Sequence, residues 1–377
     1  MANLPVLQDL SAKNAAPDTV EVSDFVPPWE TPAPERQGKE SLWAQLPRDL
    51  ARHEGEFNPE RLFARIQRPH LWTNGLPTIG KRPRRVLAQF DMGLPTLVER
   101  HLSADGSTKC VLETYDGHRI EAVHMPRDVR SPRVTFCLSS QVGCAMGCTF
   151  CATGSMGIRR NLDAGEIIGQ VLVLMHALGP HTGHHVNLVF MGMGEPLHNL
   201  ENVHRALEVL CHVDGVGIAP GRITVSTSGL VSKIDALRQM APRPRLAVSI
   251  NATTDASRRQ TMPVARKWSL KSLKASLQNW ASETKEEVML EYVLLKGEND
   301  TSDDVERLAE FANSMPHKIN IIPLNEHESA HQHARPDDDV VRDFVKALVA
   351  KGCFVFVRRT RGLDVSGACG QLVQEGK

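Results

Sequence analysis

From about residue 133 the chain alternates between two patterns, and that alternation limits the fold more than any other feature. Short apolar runs rich in Val, Ile and Phe stand at 133–138 (RVTFCL), 186–191 (VNLVFM), 222–227 (RITVST), 245–250 (RLAVSI), 288–295 (VMLEYVLL), 318–324 (KINIIPL) and 353–359 (CFVFVRR). Their length and β-branched content read as strands. Between them lie DAGEIIGQVLVLMHAL, ENVHRALEVLC, SLKSLKASLQNWASE, TSDDVERLAEFANS and DVVRDFVKALVAK, whose apolar residues have helical spacing. Asp163 and Glu166 are spaced as a capping box at the start of the first helix. Strands that alternate with helices run parallel, because each crossover returns the chain to the same end of the sheet. The residues allow two α/β architectures, an incomplete barrel or a doubly wound sheet. No sequence repeat of fixed period is present.

The region before 133 is different. Residues 1–40 hold seven acidic and three basic residues and the Pro-rich stretch FVPPWETPAPERQGKE, the composition of a disordered arm. Residues 41–108 are expected to form a small helical accessory domain, because LWAQLPRDLARH and NPERLFARIQ have helical spacing. Eight basic residues against two acidic ones between 61 and 100 make it a candidate docking surface for a phosphate backbone. Residues 109–132 carry two β-rich runs around the turn DGH, a hairpin connector. Residues 133–372 form the α/β core.

Forty-four Lys and Arg balance 44 Asp and Glu, so net charge selects no class of partner. The N-terminus has neither the basic nor the apolar region of a secretory signal. No run reaches the ~18 apolar residues of a spanning helix. A cytoplasmic chain without membrane association is expected, and there clustered thiols serve metal or catalytic chemistry.

Such a cluster stands in FCLSSQVGCAMGCTFCATG, residues 136–154. Cys144, Cys148 and Cys151 have the spacing C-x3-C-x2-C, and Cys137 lies seven residues upstream. Structural zinc takes four protein ligands. Cys137 is a poor fourth at the end of a strand, and no second C-x2-C occurs. A [4Fe–4S] cluster normally takes four thiolates. With three, one iron is left open for a ligand. Buried thiols or a zinc staple are the plain alternatives.

With Phe150 before the last cysteine and a strand before the loop, the motif resembles that of the radical S-adenosylmethionine (SAM) superfamily. More narrowly, FCLSSQVGCAMGCTFCATG, VFMGMGEPLHN, RITVSTSGL, LAVSINA, KINIIPLN and RRTRGLDVSGACGQL resemble, in order and spacing, its RNA adenine methyltransferases. The resemblance covers residues 118–372 and is weak before 110.

It implies an incomplete (β/α)6-type barrel. It implies a [4Fe–4S] cluster on Cys144, Cys148 and Cys151, with the methionine part of SAM on the fourth iron. Gly194 and Glu195 of GMGEP, Ser226, Ser249, Ile250, Asn251 and Asn325 match SAM-contacting positions of the family. All lie at strand ends, where barrel enzymes keep their chemistry. The family usually has histidine where this chain has Asn251.

Two SAM molecules are implied per turnover. One methylates Cys369; the other yields a 5′-deoxyadenosyl radical that takes hydrogen from the S-methyl group. The resulting carbon adds to C2 of adenine, an electrophilic centre that resists direct methylation and so calls for a covalent intermediate. Cys137 then releases the RNA by attacking the Cys369 sulfur, leaving a disulfide between them. Glu121, in RIEAVHMP, matches the family's base for the ring proton, although its spacing to Cys137 is longer than usual around RDVRSP.

The implied substrates are 23S ribosomal RNA and transfer RNA. An electron donor such as flavodoxin or ferredoxin is the implied partner, and a monomer is expected. The competing readings are methylation at C8, a divergent RNA target, and a non-catalytic metal-stabilised RNA-binding protein. The last has no use for Cys137 and Cys369.

Overall fold

The structure, a computed structural model, describes residues 38–53, 57–73, 76–77, 83–128, 131–179 and 183–373. The acidic arm expected at 1–40 lies outside the described residues except at 38–40, as do Lys81 and Arg82 of the basic stretch.

A ten-stranded sheet organises the chain. Its strands are β1 (Thr96–Leu102), β2 (Thr108–Glu113), β3 (Arg119–Asp128), β4 (Ser131–Cys137), β5 (Val186–Phe190), β6 (Ile223–Thr227), β7 (Arg245–Ser249), β8 (Val288–Leu294), β9 (His317–Pro323) and β10 (Val355–Val357). Each pairs with the next in sequence. From β4 to β10 all pairings are parallel. The crossovers hold α1 (Ala164–Leu178), α2 (Leu200–Cys211), α3 (Val231–Gln239), α4 (Leu270–Thr284), α5 (Ser302–Ala312) and α6 (Asp338–Ala350). All seven expected strands are present.

A sequential parallel order is that of a barrel; a doubly wound sheet reverses its order at a switch point. The outer edge of β4 is taken by β3, so the parallel run stays open there. Strands β1, β2 and β3 form an antiparallel meander on that edge. The mixed sheet is thus wider than the hairpin read from the sequence. β1 falls in the stretch expected to be helical, and its Glu99, Arg100 and His101 suit an exposed edge strand.

Helix α1 starts as its sequence directs. Asp163 Oδ1 accepts the Glu166 N–H at 3.0 Å, and Glu166 Oε2 accepts the Asp163 N–H at 3.0 Å. Two amides that a helix end leaves open are thereby satisfied.

The segment before the meander packs on α1 and α2. Trp43 and Phe63 are fully buried. Arg205 of α2 donates through Nε to the Ala44 carbonyl at 2.7 Å. Gly165 and Gly169 of α1, four residues apart and so on one face, allow this approach. A Cβ at Gly165 would lie 2.0 Å from Ser41 Oγ, and one at Gly169 would lie 2.4 Å from Pro95 Cδ.

Candidate active site

The C-terminal ends of the parallel strands converge on a cavity of about 170 Å³. Cys144, Cys148 and Cys151 line one side, on the loop that follows β4. The loop is anchored by bonds from Cys144 N–H to the Gly157 carbonyl (2.9 Å) and from Thr149 N–H to the Thr261 carbonyl (3.0 Å). Burial pushes the Cys144 thiol up to about 12 and raises those of Cys148 and Cys151. All three are therefore neutral thiols until a metal displaces their protons.

Among the described residues no three His, Cys, Asp or Glu side chains form a group that could hold a metal ion. The three thiols border the cavity instead. The three lie close enough to raise one another's pKa, and a cluster takes each thiolate on a different iron. A lone zinc needs all its ligands ~2.0–2.3 Å from one centre.

The expected SAM-contacting residues fall into two groups. Gly194, Glu195, Ser226, Ser249, Asn251 and Asn325 all line the cavity. Gly194 has φ +98°, and a Cβ there would lie 2.6 Å from Gln141 Cβ, so only glycine fits. Burial raises the Glu195 carboxyl, while the N–H groups of Ser228 (2.7 Å) and Leu197 (3.0 Å) support its charged form. Asn251 takes a left-handed φ of +52°, a conformation in which Asn is enriched. Its Oδ1 accepts the Val293 N–H at 2.8 Å and ties the end of β7 to β8. Ile250 departs from the expectation: its side chain is buried in the core, its N–H bonds the Glu291 carbonyl and its own carbonyl accepts Arg258 Nε.

Cys369 also lines this cavity and, with Cys137, a smaller neighbouring one of about 30 Å³. Both are free thiols, so the implied disulfide is not formed here. Asn325 Nδ2 donates to the Cys369 carbonyl at 2.9 Å, and Ala152 N–H donates to the Gly370 carbonyl at 2.7 Å. These bonds hold the Cys369 segment beside the thiol loop.

Glu121 is not among the residues lining either cavity. It is buried on β3, with Oε1 3.1 Å from Lys109 Nζ and Oε2 accepting the Val373 N–H at 3.0 Å.

Three polar residues shape the site beyond those assigned from the sequence. Glu291 on β8 is buried; Oε2 accepts Asn320 Nδ2 at 2.7 Å, and Oε1 has no hydrogen-bond partner among the described residues. Its one sequence signal is a lone charge in the apolar run VMLEYVLL. Arg258 is fully buried and donates to the carbonyls of Ser228, Ser249 and Ile250, fixing the ends of β6 and β7. Burial lowers its pKa to about 10. Arg358 lines both cavities, beside Cys369, Cys137 and Glu291.

Comparison with known proteins follows the same lines. Residues 138–312 match the radical SAM superfamily. The chain is 42% identical over 281 residues to "Dual-specificity RNA methyltransferase RlmN 2" of Myxococcus xanthus, covering 73% of each protein. It is 37% identical over 347 residues to the dual-specificity RNA methyltransferase RlmN of Campylobacter jejuni, covering 85% of this chain and 97% of that one. The crystal structure of a radical SAM methyltransferase from Sphaerobacter thermophilus superposes with a TM-score of 0.81 at 36% identity, over 88% of this chain and 99% of that one.

Proposed function

Because the chain belongs to the dual-specificity RNA methyltransferase family of the radical SAM superfamily, we propose that it methylates C2 of an adenine in 23S ribosomal RNA and in transfer RNA. One observation supports this reading most. Cys369 borders both the cavity of the three loop thiols and the smaller one that holds Cys137. A methyl-accepting thiol must meet SAM on one side and a resolving thiol on the other.

In this reading Cys144, Cys148 and Cys151 hold a [4Fe–4S] cluster, which a donor such as flavodoxin or ferredoxin reduces. A cluster held there would supply the single electron needed for reductive cleavage of SAM. Glu195 suits the ammonium group of SAM, and Gly194 admits its backbone-close approach. Ser226, Ser249 and Asn325 offer hydroxyl and amide groups to the rest of the cofactor.

Cys369 loses its proton, takes the methyl group of a first SAM, which leaves as S-adenosylhomocysteine, and becomes S-methylcysteine. The radical from a second SAM removes one hydrogen atom, and the carbon bonds to C2 of adenine. The adduct must pass its unpaired electron to a one-electron acceptor, which the oxidised cluster would provide, and its C2 proton to Glu121. For this, Glu121, which lines neither cavity, must give up Lys109 and the Val373 N–H and come to face the adenine. Cys137, as thiolate, attacks the Cys369 sulfur: an S–S bond forms, the S–C bond breaks, and the carbon leaves with the electron pair and takes a proton. The adenine must be unstacked to enter the site, as enzymes acting on bases require. The reaction is placed in the cytoplasm, with the chain acting as a monomer.

Mass mapping of modified adenosines in RNA from cells with and without the gene tests the reading. Loss of 2-methyladenosine from 23S and transfer RNA is expected; a change at C8 instead would overturn the ring position. Cys137→Ala should trap RNA covalently on the protein, and Cys369→Ala should not. Failure of the Cys137→Ala protein to accumulate any adduct sinks the mechanism.

A further inference from the structure

The loop that brings Cys369 to the site is held at its far end by a part of the molecule the reaction does not use. We propose that the turn between β1 and β2, residues 103–107, is a clasp that sets the position of Cys369, with Asp105 and Asp364 as its positioning residues. The inference rests on the reading of Cys369 as methyl acceptor.

The bonds are reciprocal. Asp364, on the Cys369 loop, accepts the Ser103 hydroxyl at 2.5 Å and the Ala104 N–H at 2.9 Å. Asp105, on the turn, accepts the Gly362 N–H at 3.0 Å through Oδ2 and the Ser107 N–H at 2.8 Å through Oδ1. Each loop thus presents a carboxylate to the other's backbone, and charged acceptors make the stronger hydrogen bonds.

Arg361 adds a third tie. Its Nε donates to Ser107 Oγ (3.2 Å) and pairs with Asp105 (3.3 Å), and its Nη2 donates to the Pro126 carbonyl of β3 (2.8 Å). The loop is also closed on itself: Gly362, at φ +67°, accepts the Gly367 N–H at 2.8 Å. One residue, Ala368, separates that closed unit from Cys369, so a shift of the clasp is passed to the thiol with little slack.

Neither Asp105 nor Asp364 lines either cavity. Exposed loops ordinarily move and make few such bonds. Here two loops separated by more than 250 residues are cross-linked by side chains on both. A reacting atom displaced by ~1 Å can cost ~100-fold in rate, which gives such fixing a purpose.

The test uses the full chain with its cluster reconstituted anaerobically. Asp364→Ala, Asp105→Ala and the milder Ser103→Ala are compared with wild type. Amide hydrogen exchange over 362–370 and maleimide labelling of Cys369 should quicken by about tenfold in the Asp variants, the effect of losing charged hydrogen bonds. Ser103→Ala should give a smaller change, and none beyond Asp364→Ala when the two are combined. The kcat for RNA methylation should fall while the KM for RNA stays within about twofold. Iron content should stay at the wild-type level. Unchanged exchange, faster exchange with unchanged kcat, or loss of iron along with activity would each overturn the clasp. Mass analysis for methyl on Cys369 of the wild type is separate: its absence sinks the acceptor reading and leaves the exchange result standing.

Discussion

At the scale of single residues, Cys137 shows how surroundings set reactivity. Burial, with the Cys369 thiol beside it, pushes its pKa up to about 12, and the Arg358 charge offsets only part of this. A raised thiol pKa means that the folded state disfavours the thiolate. Any stability this contributes is fully present below the ordinary thiol range and is lost as pH climbs toward 12. Since the thiolate is the nucleophile, alkylation followed by mass spectrometry should find the buried Cys137 modified only at strongly alkaline pH, after the partly exposed Cys369. Equal labelling of the two near pH 7 would contradict the burial argument. Sequence spacing was enough to single out Cys144, Cys148 and Cys151, because one short loop carries all three. It could not show that the Ile250 side chain turns into the core, or that the Glu121 carboxylate is taken by Lys109 and Val373. Both outcomes depend on partners remote in sequence. Glu291 was overlooked because one charge in an apolar run tells nothing about which face of the strand it occupies.

At the scale of elements, the strands and helices of the core could be read because their hydrophobic periods are clean and their caps are local, as at Asp163 and Glu166. β1 could not: TLVERHL mixes charge with apolar residues, since it is an edge strand with its polar positions partly open to water. The glycines of α1 were equally silent, because their purpose is the close approach of Ser41 and Pro95 from another segment. Gly169→Leu should therefore destabilise the protein through overpacking, by about 1–3 kcal/mol. Thermal unfolding would register this as a lowered midpoint, whereas an exposed helix position would be stabilised by replacing glycine. An unchanged or raised midpoint would mean that the segment before β1 is not packed on α1.

At the scale of the molecule, the segment before the meander is part of the same core as the parallel strands. Trp43, Phe63 and Ile66 belong to the cluster that includes Ile168 and Leu172 of α1 and Leu207 and Leu210 of α2. Full burial of each large side chain contributes roughly 1.5–3 kcal/mol. Removal of residues 1–95 should thus strip one face from α1 and α2. The expected result is a protein that binds a hydrophobic dye and aggregates; a soluble, cooperatively unfolding remainder would refute it. The charge pattern of 61–100 suggested a docking surface but gave no hint of this packing role, since burial of a few aromatic residues leaves charge counts unaltered.

The pairing order of the sheet has a consequence for synthesis on the ribosome. Each strand from β4 to β10 needs only its predecessor to pair, so the barrel can assemble as the chain emerges, in keeping with largely vectorial folding. The bonds that seat Cys369 are of the opposite kind: Ser103 to Asp364 spans 261 positions, Glu121 to Val373 spans 252, and Thr153 to Leu372 spans 219. A nascent chain therefore presents Cys144, Cys148 and Cys151 long before it can seat Cys369, the thiol proposed as methyl acceptor.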